Sequence, residues 1–199
     1  AIDVYPDGVL GKGVAEQSKL VSEGVVDIAW IVPGQTPYRF PDNDLLELPG
    51  LFRDAREGTL TYTRLIAANA LRGYENYFVI TAVTPAPAYI HSRKRIDSLA
   101  ALKGQRLRAN NPTEAEALGR LGAQPTVLAI TLLSEATRRG AIDGAALGPT
   151  ALFQYGLFPL ATNHYLLAGT ASPLALVMNR EKFDSLPEAA KALIRQYSG

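Results

Sequence analysis

The sequence contains no cysteine. That excludes a disulfide framework, thiol catalysis and any cysteine-ligated metal centre. Histidine is almost as scarce: His91 and His164 are the only two, far apart in the chain, and neither has carboxylates beside it at metal-ligand spacing. Both are expected to be structural or surface residues, and no metal site is expected. Neither sign of charge is in excess. Lys and Arg number 20 against 19 Asp and Glu, a net charge of +1, and the basic residues are scattered. A nucleic-acid partner is therefore not expected. No run reaches the ~18 apolar residues of a membrane-spanning helix, so direct membrane insertion is not expected, and Ala1-Ile2-Asp3 opens without a signal-peptide pattern.

Catalytic motifs are missing too. There is no G-x-S-x-G, no P-loop, no H-E-x-x-H and no G-x-G-x-x-G. The glycines of GVLGKG and GPTALFQYG fit neither phosphate-binding pattern. No cofactor and no catalytic residue is expected. Asp27, Glu47, Glu135 and Asp143 sit where a cap or a solvated position reads equally well, which leaves an acid/base pair open in principle.

What the chain does hold is an alternation of strand and helix patterns. Its 199 residues, 47% hydrophobic and 20% charged, can bury one large core or two small ones. Strands are predicted over 2–5, 25–32 and 77–83, the last two as buried strands. A turn is predicted at Pro6-Asp7-Gly8. A helix over 14–22 stops at Gly24, and a second, capped by Asp54, runs through Leu60, Leu65, Ile66 and Leu71 to Gly73. Thr84-Pro85-Ala86-Pro87-Ala88 reads as a semi-rigid crossover, since two prolines hold it extended and remove two amide donors. The grammar then repeats. Asp97 and Ser98 can cap a short helix bearing Leu99 and Leu102 and ending at Gly104. Thr113 with Glu116 fits a capping box. Strands are predicted over 125–129, 141–147, 165–168 and 174–179, with a helix over 131–139 and a last one entered through Pro187 and reaching Tyr197. This order predicts an α/β fold with largely parallel sheets in two units. No internal repeat or low-complexity segment occurs.

Between Gly104 and Pro112 lies Gln105-Arg106-Leu107-Arg108-Ala109-Asn110-Asn111. Period-2 alternation sends Leu107 to one face and both arginines to the other. An arginine at a strand end before a new helix is well placed to take a carboxylate by a paired hydrogen bond. Two solvated arginines on an edge strand fit the same residues, and the alternation alone leaves both open.

The segment IDSLAALKGQRLRANNP resembles the "dlkGlkiRvp" segment of the DctP family, the solute-binding proteins of TRAP transporters. VYPDGVLGKGVAEQSKLVSEGVVDIAW, LELPGLFRD, LGAQPT and RRGAIDGA resemble four further family segments in the family's order. Together they run from about Val4 to about Leu193. The resemblance implies a two-lobed, periplasmic-binding-protein-like α/β fold with a ligand cleft between the lobes. It puts 1–86 with 173–199 in lobe one and 87–172 in lobe two. Set against the family pattern, the sequence lacks the leading strand and helix that the family has before this point and the long helices it has after Gly199, so the resemblance implies a core fragment of the fold.

For the site, the resemblance carries the family's carboxylate-pairing arginine onto Arg108, with Asn110 beside it, and gives Arg106 a solvated position. Ala88 falls near the place of a second arginine found in many members. Leu147-Gly148-Pro149 replace an asparagine that often follows the "vDg" motif, and Ile130 takes a position that is frequently aromatic and pocket-lining. One arginine among Ala88, Tyr89, Ile130, Leu147, Gly148 and Phe153 suits a small monocarboxylate with an apolar or aromatic body. Core packing fits Ile130 and Leu147 equally, and Tyr89 and Tyr155 are either ligand-orienting or packing residues. Trp30 and Gln35, at the end of a lobe-one strand, are placed as cleft wall and hydrogen-bonding group, with core packing the other role for Trp30. The implied function is periplasmic capture of a small organic acid for the membrane subunits of a TRAP transporter. The alternatives are an enzyme acting on a carboxylate on a related bilobal fold, or a sensory binding module.

Overall fold

The computed structural model describes residues 2–6, 8–11, 13–167 and 169–199. In chain order they form α1 (Gln17–Ser22), β1 (Ile28–Ile31), α2 (Ala55–Ala67), β2 (Tyr77–Val83), β3 (Tyr89–Ser92) and β4 (Arg106–Ala109). There follow α3 (Pro112–Arg120), β5 (Gln124–Val127), α4 (Leu133–Arg138), β6 (Gly144–Leu147), α5 (Pro149–Gln154), β7 (Asn163–Tyr165), β8 (Leu174–Asn179), α6 (Arg180–Ser185) and α7 (Glu188–Gln196). Short 3-10 turns fill several connections, among them Leu99–Leu102 and Ile130–Leu132. None of the described helices is long and apolar enough to cross a membrane.

Contacts divide the chain into two compact units. The first holds Ala1–Asn43, Thr59–Thr84 and Pro173–Gly199; the second holds Asp44–Gly58 and Pro85–Ser172. One crossing falls between Thr84 and Pro85, within the Thr84–Ala88 segment expected to be a crossover. Residues 44–58, expected in lobe one, belong instead with the second unit. The reason is chemical: Glu47 accepts hydrogen bonds from Asn111 and Ser172, and the Gly50 amide donates to Gly169.

The sheets correct the expectation of largely parallel pairing. In the first unit the order is β1-β8-β2 and both pairings are antiparallel, because β8 comes from far down the chain and inserts between the two earlier strands. β1 is thus an edge strand, shorter than the buried strand expected over 25–32, and its Trp30 is half exposed. Central β8 buries Ala175, Val177 and Met178, as the inner strand of a sheet must. The second unit has the order β5-β4-β6-β3-β7. Here β4 pairs in parallel with β5 and β6, while β3 pairs antiparallel with β6 and β7. Only the strands joined through α3 and α4 have the crossover connection that parallel neighbours need.

Other local differences have local causes. Residues 2–5 are exposed and make no strand, while the Pro6-Asp7-Gly8 turn includes Asp7, outside the described residues. β7 starts and ends earlier than the strand expected over 165–168, and Ala168 also lies outside the described residues. Helices α5 and α6 were not expected. Asp54 caps α2 through the Glu57 amide as expected, but that helix ends at Ala67 and Asn69 takes the left-handed turn (φ 50°). Ser98 precedes its turn without a side-chain cap, and Asp97 pairs with Arg95. Gly104 does close that turn, at φ 74°, a backbone conformation cheap only for glycine.

The second unit's sheet is covered on both faces. Ile90, Leu102, Leu107, Ala109, Leu118 and Ala146 form one core cluster. Leu133, Ile142, Ala145, Leu147, Leu152 and Leu157 form the other. Ala145 and Ala146 go to opposite clusters because consecutive strand residues point to opposite faces. Gly144, at the start of β6, lies so close to β3 that a Cβ there would sit 2.0 Å from the His91 carbonyl oxygen.

Candidate anion-binding site

β4 divides its side chains as alternation predicts. Leu107 and Ala109 enter the first cluster, and Arg106 and Arg108 project on the other face. The two arginines then differ. Arg106 is half exposed yet not simply solvated. It donates from its backbone N (3.0 Å), Nε (3.2 Å) and Nη2 (2.7 Å) to the Asp143 carboxylate, which also receives Lys94 Nζ at 2.9 Å. Burial pushes the Asp143 carboxyl up, but the hydrogen bonds from Arg106 and Lys94 outweigh it and hold the group well below the usual carboxylate range. Asp143 is thus a buried structural ion-pair centre, neither a cap nor a solvated acid.

Arg108 is buried, its side chain in register with Thr126 of β5 and Ala145 of β6. Its Nε donates to the Leu128 carbonyl (2.8 Å) and its Nη2 to Asn110 Oδ1 (2.8 Å). Those two bonds use two of the five donors a guanidinium carries. Among the described residues no carboxylate lies within ion-pair distance of it. Burial pushes its pKa down, and the negative potential of Glu114 and Tyr155 pushes it back up. Arg108 is thus a buried cation held by neutral acceptors and without a counter-charge among the described residues, an arrangement that is costly because desolvating a charge needs compensation.

The residues around it form a connected polar set. Asn110 Nδ2 donates to Ser172 Oγ (3.0 Å), and Ser172 Oγ donates to Glu47 Oε2 (3.0 Å). The same Glu47 oxygen accepts from Asn111 Nδ2, and Oε1 is buried without a hydrogen-bond partner. Burial pushes the Glu47 carboxyl up to about 7, against the lowering bonds from Ser172 and Asn111 and with further help from the Glu114 charge. Helix α3 begins here. Asn111 accepts from the Glu114 amide at 2.9 Å, Pro112 occupies the first turn, and Glu114 Oε2 accepts from the Asn110 amide at 2.6 Å. This reciprocal cap stands in place of the expected Thr113/Glu116 box, and Glu116 instead pairs on the surface with Arg120. Glu114 is buried, which raises its pKa, and Thr170 Oγ1 donates to its other oxygen.

On the face that carries Arg108, Tyr89 lies opposite Leu147 in the β3–β6 pairing. Leu128, Ile130 and Tyr155 pack into the same cluster as Leu147. Gly148 precedes α5 as its N-terminal residue. Ala88 departs from this grouping: it is buried in the opposite cluster, its amide bonded to the Thr170 carbonyl. Phe153 is exposed and stacks on Phe158. Trp30 and Gln35 belong to the first unit, on β1 and at the end of the Pro33–Gln35 turn.

Sequence reasoning missed three parts of this arrangement. Glu47 and Ser172 come from distant segments, and the only hint was an acid set in the apolar run LLELPG. Glu114 was passed over in favour of Glu116. The histidines are neighbours: His91 Nδ1 is 2.8 Å from His164 Nδ1, and His91 Nε2 is 3.1 Å from the Leu147 carbonyl. A carbonyl only accepts, so His91 carries its proton on Nε2 and receives one from His164. Burial, followed by the potential of His164, lowers the His91 pKa.

Comparison with known proteins places this arrangement in context. Residues 1–198 match the family model DctP, described as bacterial extracellular solute-binding protein, family 7. A solute-binding protein of Verminephrobacter eiseniae is 25% identical over 179 residues, covering 87% of this chain and 53% of that protein. The chain therefore spans little more than half of that curated relative. A marine metagenome TRAP solute-binding protein specific for aromatic acid ligands, solved with 3-hydroxybenzoate, is 29% identical with a TM-score of 0.91 over 99% of this chain and 63% of its own. A TRAP solute-binding protein of Rhodoferax ferrireducens, solved with copurified benzoate, is 28% identical with a TM-score of 0.87 over 99% of this chain and 63% of its own.

Proposed function

Because this chain belongs to the DctP family of bacterial extracellular solute-binding proteins, we propose that it captures a small monocarboxylate with an apolar or aromatic body and that Arg108 is the anchor for the carboxylate. The observation that carries the proposal is a buried guanidinium with no acid partner among the described residues, held in place by neutral acceptors on a face lined by Tyr89, Ile130 and Leu147. A single cation answers a single carboxylate, and apolar walls would leave the hydroxyls of a sugar acid unpaired. Two solved relatives, one specific for aromatic acid ligands and one holding copurified benzoate, support the same ligand class. The setting is the periplasm, and the partners are the membrane subunits of a TRAP transporter. Asn110 holds the guanidinium.

Calorimetry against benzoate, 3-hydroxybenzoate, mandelate, a uronate and a dicarboxylate tests this. Binding without turnover is expected for the aromatic monocarboxylates and weak or no binding for the others. Arg108→Ala should weaken the preferred acid by about 2–5 kcal/mol, the scale of truncating one partner of a buried charge pair. Arg108→Lys should also weaken it, since an ammonium cannot reproduce the planar fork. Equal affinities for wild type and Arg108→Ala would remove the centre of the proposal.

A further inference from the structure

We propose that Glu47 is a positioning residue for the anion site, acting through Ser172 to hold the Asn110 amide in the one orientation that supports Arg108. The inference rests on Arg108 being the carboxylate anchor.

An asparagine amide turned by 180° exchanges acceptor oxygen for donor nitrogen with almost no change of shape. Against a guanidinium only one orientation works. Oδ1 accepts from Arg108 Nη2 at 2.8 Å, whereas Nδ2 in its place would set donor against donor. Arg108 thus favours one orientation from its own end, and whether the other end agrees depends on Ser172, in contact with the amide there at 3.0 Å. A serine hydroxyl can donate or accept, so by itself it would satisfy either orientation. It is Glu47 that removes the choice. Its carboxyl Oε2 can only accept, and it takes the single Ser172 proton at 3.0 Å. Ser172 is then left with lone pairs for Asn110, Asn110 presents its nitrogen there, and its oxygen faces Arg108. Directionality runs along the whole chain: Arg108 to Asn110 to Ser172 to Glu47.

Glu47 is in turn fixed. Asn111 donates to the same Oε2, and Asn111 is itself held as the cap of α3. The carboxyl is fully buried and its Oε1 has no hydrogen-bond partner, so it acts through its neighbours and not on the ligand. The charges that act on it are Glu114 of α3 and Asp44 of its own turn, both acidic and both tending to keep it protonated. Protonation at Oε1 leaves Oε2 an acceptor, so the direction of the chain survives in either state. An acid in so poor an electrostatic setting is costly to fold, and an acceptor that cannot reverse is what a neutral apolar residue there would lack.

The test uses the longest form of the protein its gene encodes, four single variants along the chain of hydrogen bonds, one double variant, and Arg108→Lys for signal assignment. Glu47→Met keeps the length of the side chain and removes the acceptor. Ser172→Ala removes the link with little change of volume. Glu47→Gln keeps one carbonyl acceptor, and Asn110→Ala removes the amide. The ligand-free readout is the pair of nitrogen–proton NMR signals of the Arg108 Nε–H and the Asn110 side-chain amide, assigned by their loss in Arg108→Lys and Asn110→Ala. Both signals should move in Glu47→Met and Ser172→Ala and return to their wild-type positions in Glu47→Gln. Benzoate affinity should fall about 3- to 10-fold in the first two, the scale of one neutral hydrogen bond. It should be unchanged in Glu47→Gln, and no worse in the double Glu47→Met/Ser172→Ala than in the weaker single variant. Signals unmoved in both Glu47→Met and Ser172→Ala overturn the proposal. So does a Glu47→Gln protein as impaired as Glu47→Met, which would assign Glu47 a packing or charge role. If wild type binds no carboxylic acid, the anchor assignment of Arg108 fails by itself, and the spectra still decide the positioning role.

Discussion

Raising the pH toward neutrality should destabilise this protein through one residue, Glu47. Its carboxyl is fully buried, has one unpartnered oxygen and faces the Glu114 charge, and together these push it from the ordinary glutamate range up to about 7. In the unfolded chain it titrates at about 4.3. Between those two values the folded state holds a proton that the unfolded state has lost. Stability from this group is therefore fully present below the unfolded pKa and is lost as pH rises through the folded one. At about 1.4 kcal/mol per pH unit of difference, the loss between pH 4 and pH 8 amounts to roughly 3 kcal/mol, a large part of an ordinary domain's stability. Other groups add pH dependence of their own: burial lowers the His91 pKa, which gives the opposite slope, and burial raises that of Glu114, which gives the same slope as Glu47. The informative quantity is thus the difference between wild type and Glu47→Gln, measured by urea unfolding at fixed temperature from pH 5 to pH 8. Glutamine cannot ionise and keeps an acceptor for Ser172 and Asn111, so the variant should gain on wild type by about 2–3 kcal/mol across that range. Parallel stability profiles for the two proteins would refute the reasoning, since they would mean that Glu47 titrates alike folded and unfolded.

Three further outcomes follow from the second unit. Asp143→Ala strands the Arg106 amide and removes the acceptor of both Arg106 and Lys94, so it should cost about 2–4 kcal/mol by chemical denaturation. Because the Asp143 pKa is depressed, the stability it supplies is present above the usual aspartate range and fades as pH falls below it, so the Asp143→Asn variant should be less acid-sensitive than wild type. Gly144→Ala should destabilise the β3–β6 pairing by about 1–3 kcal/mol, the overpacking scale, because the new methyl would lie 2.0 Å from the His91 carbonyl and the strands must part. Hydrogen exchange at the Ile90 and Ala146 amides would report it, and unchanged protection there would count against the close approach.

Much of the local structure was legible in the residues. Strands β2 and β8 stand at the residues where β-branched and alternating runs placed them, and Gly24, Gly104, Gly122 and Gly140 take positive φ after helices or turns, as stop signals should. The split of Leu107 from Arg106 and Arg108 followed from the two-residue period of a strand, a rule that needs no partner to be known. What alternation could not do was tell the two arginines apart. Arg106 meets Asp143, 37 positions away, and Arg108 meets the carbonyl of Leu128 and the amide of Asn110. Nothing in the spacing of Arg106 and Arg108 distinguishes those fates.

The residues alone thus determined which segments bury apolar faces, where helices stop and which strand carries arginine, because each of those depends on neighbours within a few positions. Only the tertiary structure decided the rest. It put β8 between β1 and β2, joined residues 44–58 to the second unit, set His91 against His164, and brought Glu47 and Ser172 to the same hydrogen-bond chain across 125 positions. Those outcomes depend on strand order and on which buried polar groups find partners, and a buried donor or acceptor can be satisfied from anywhere in the chain, so its partner leaves no local mark in the sequence.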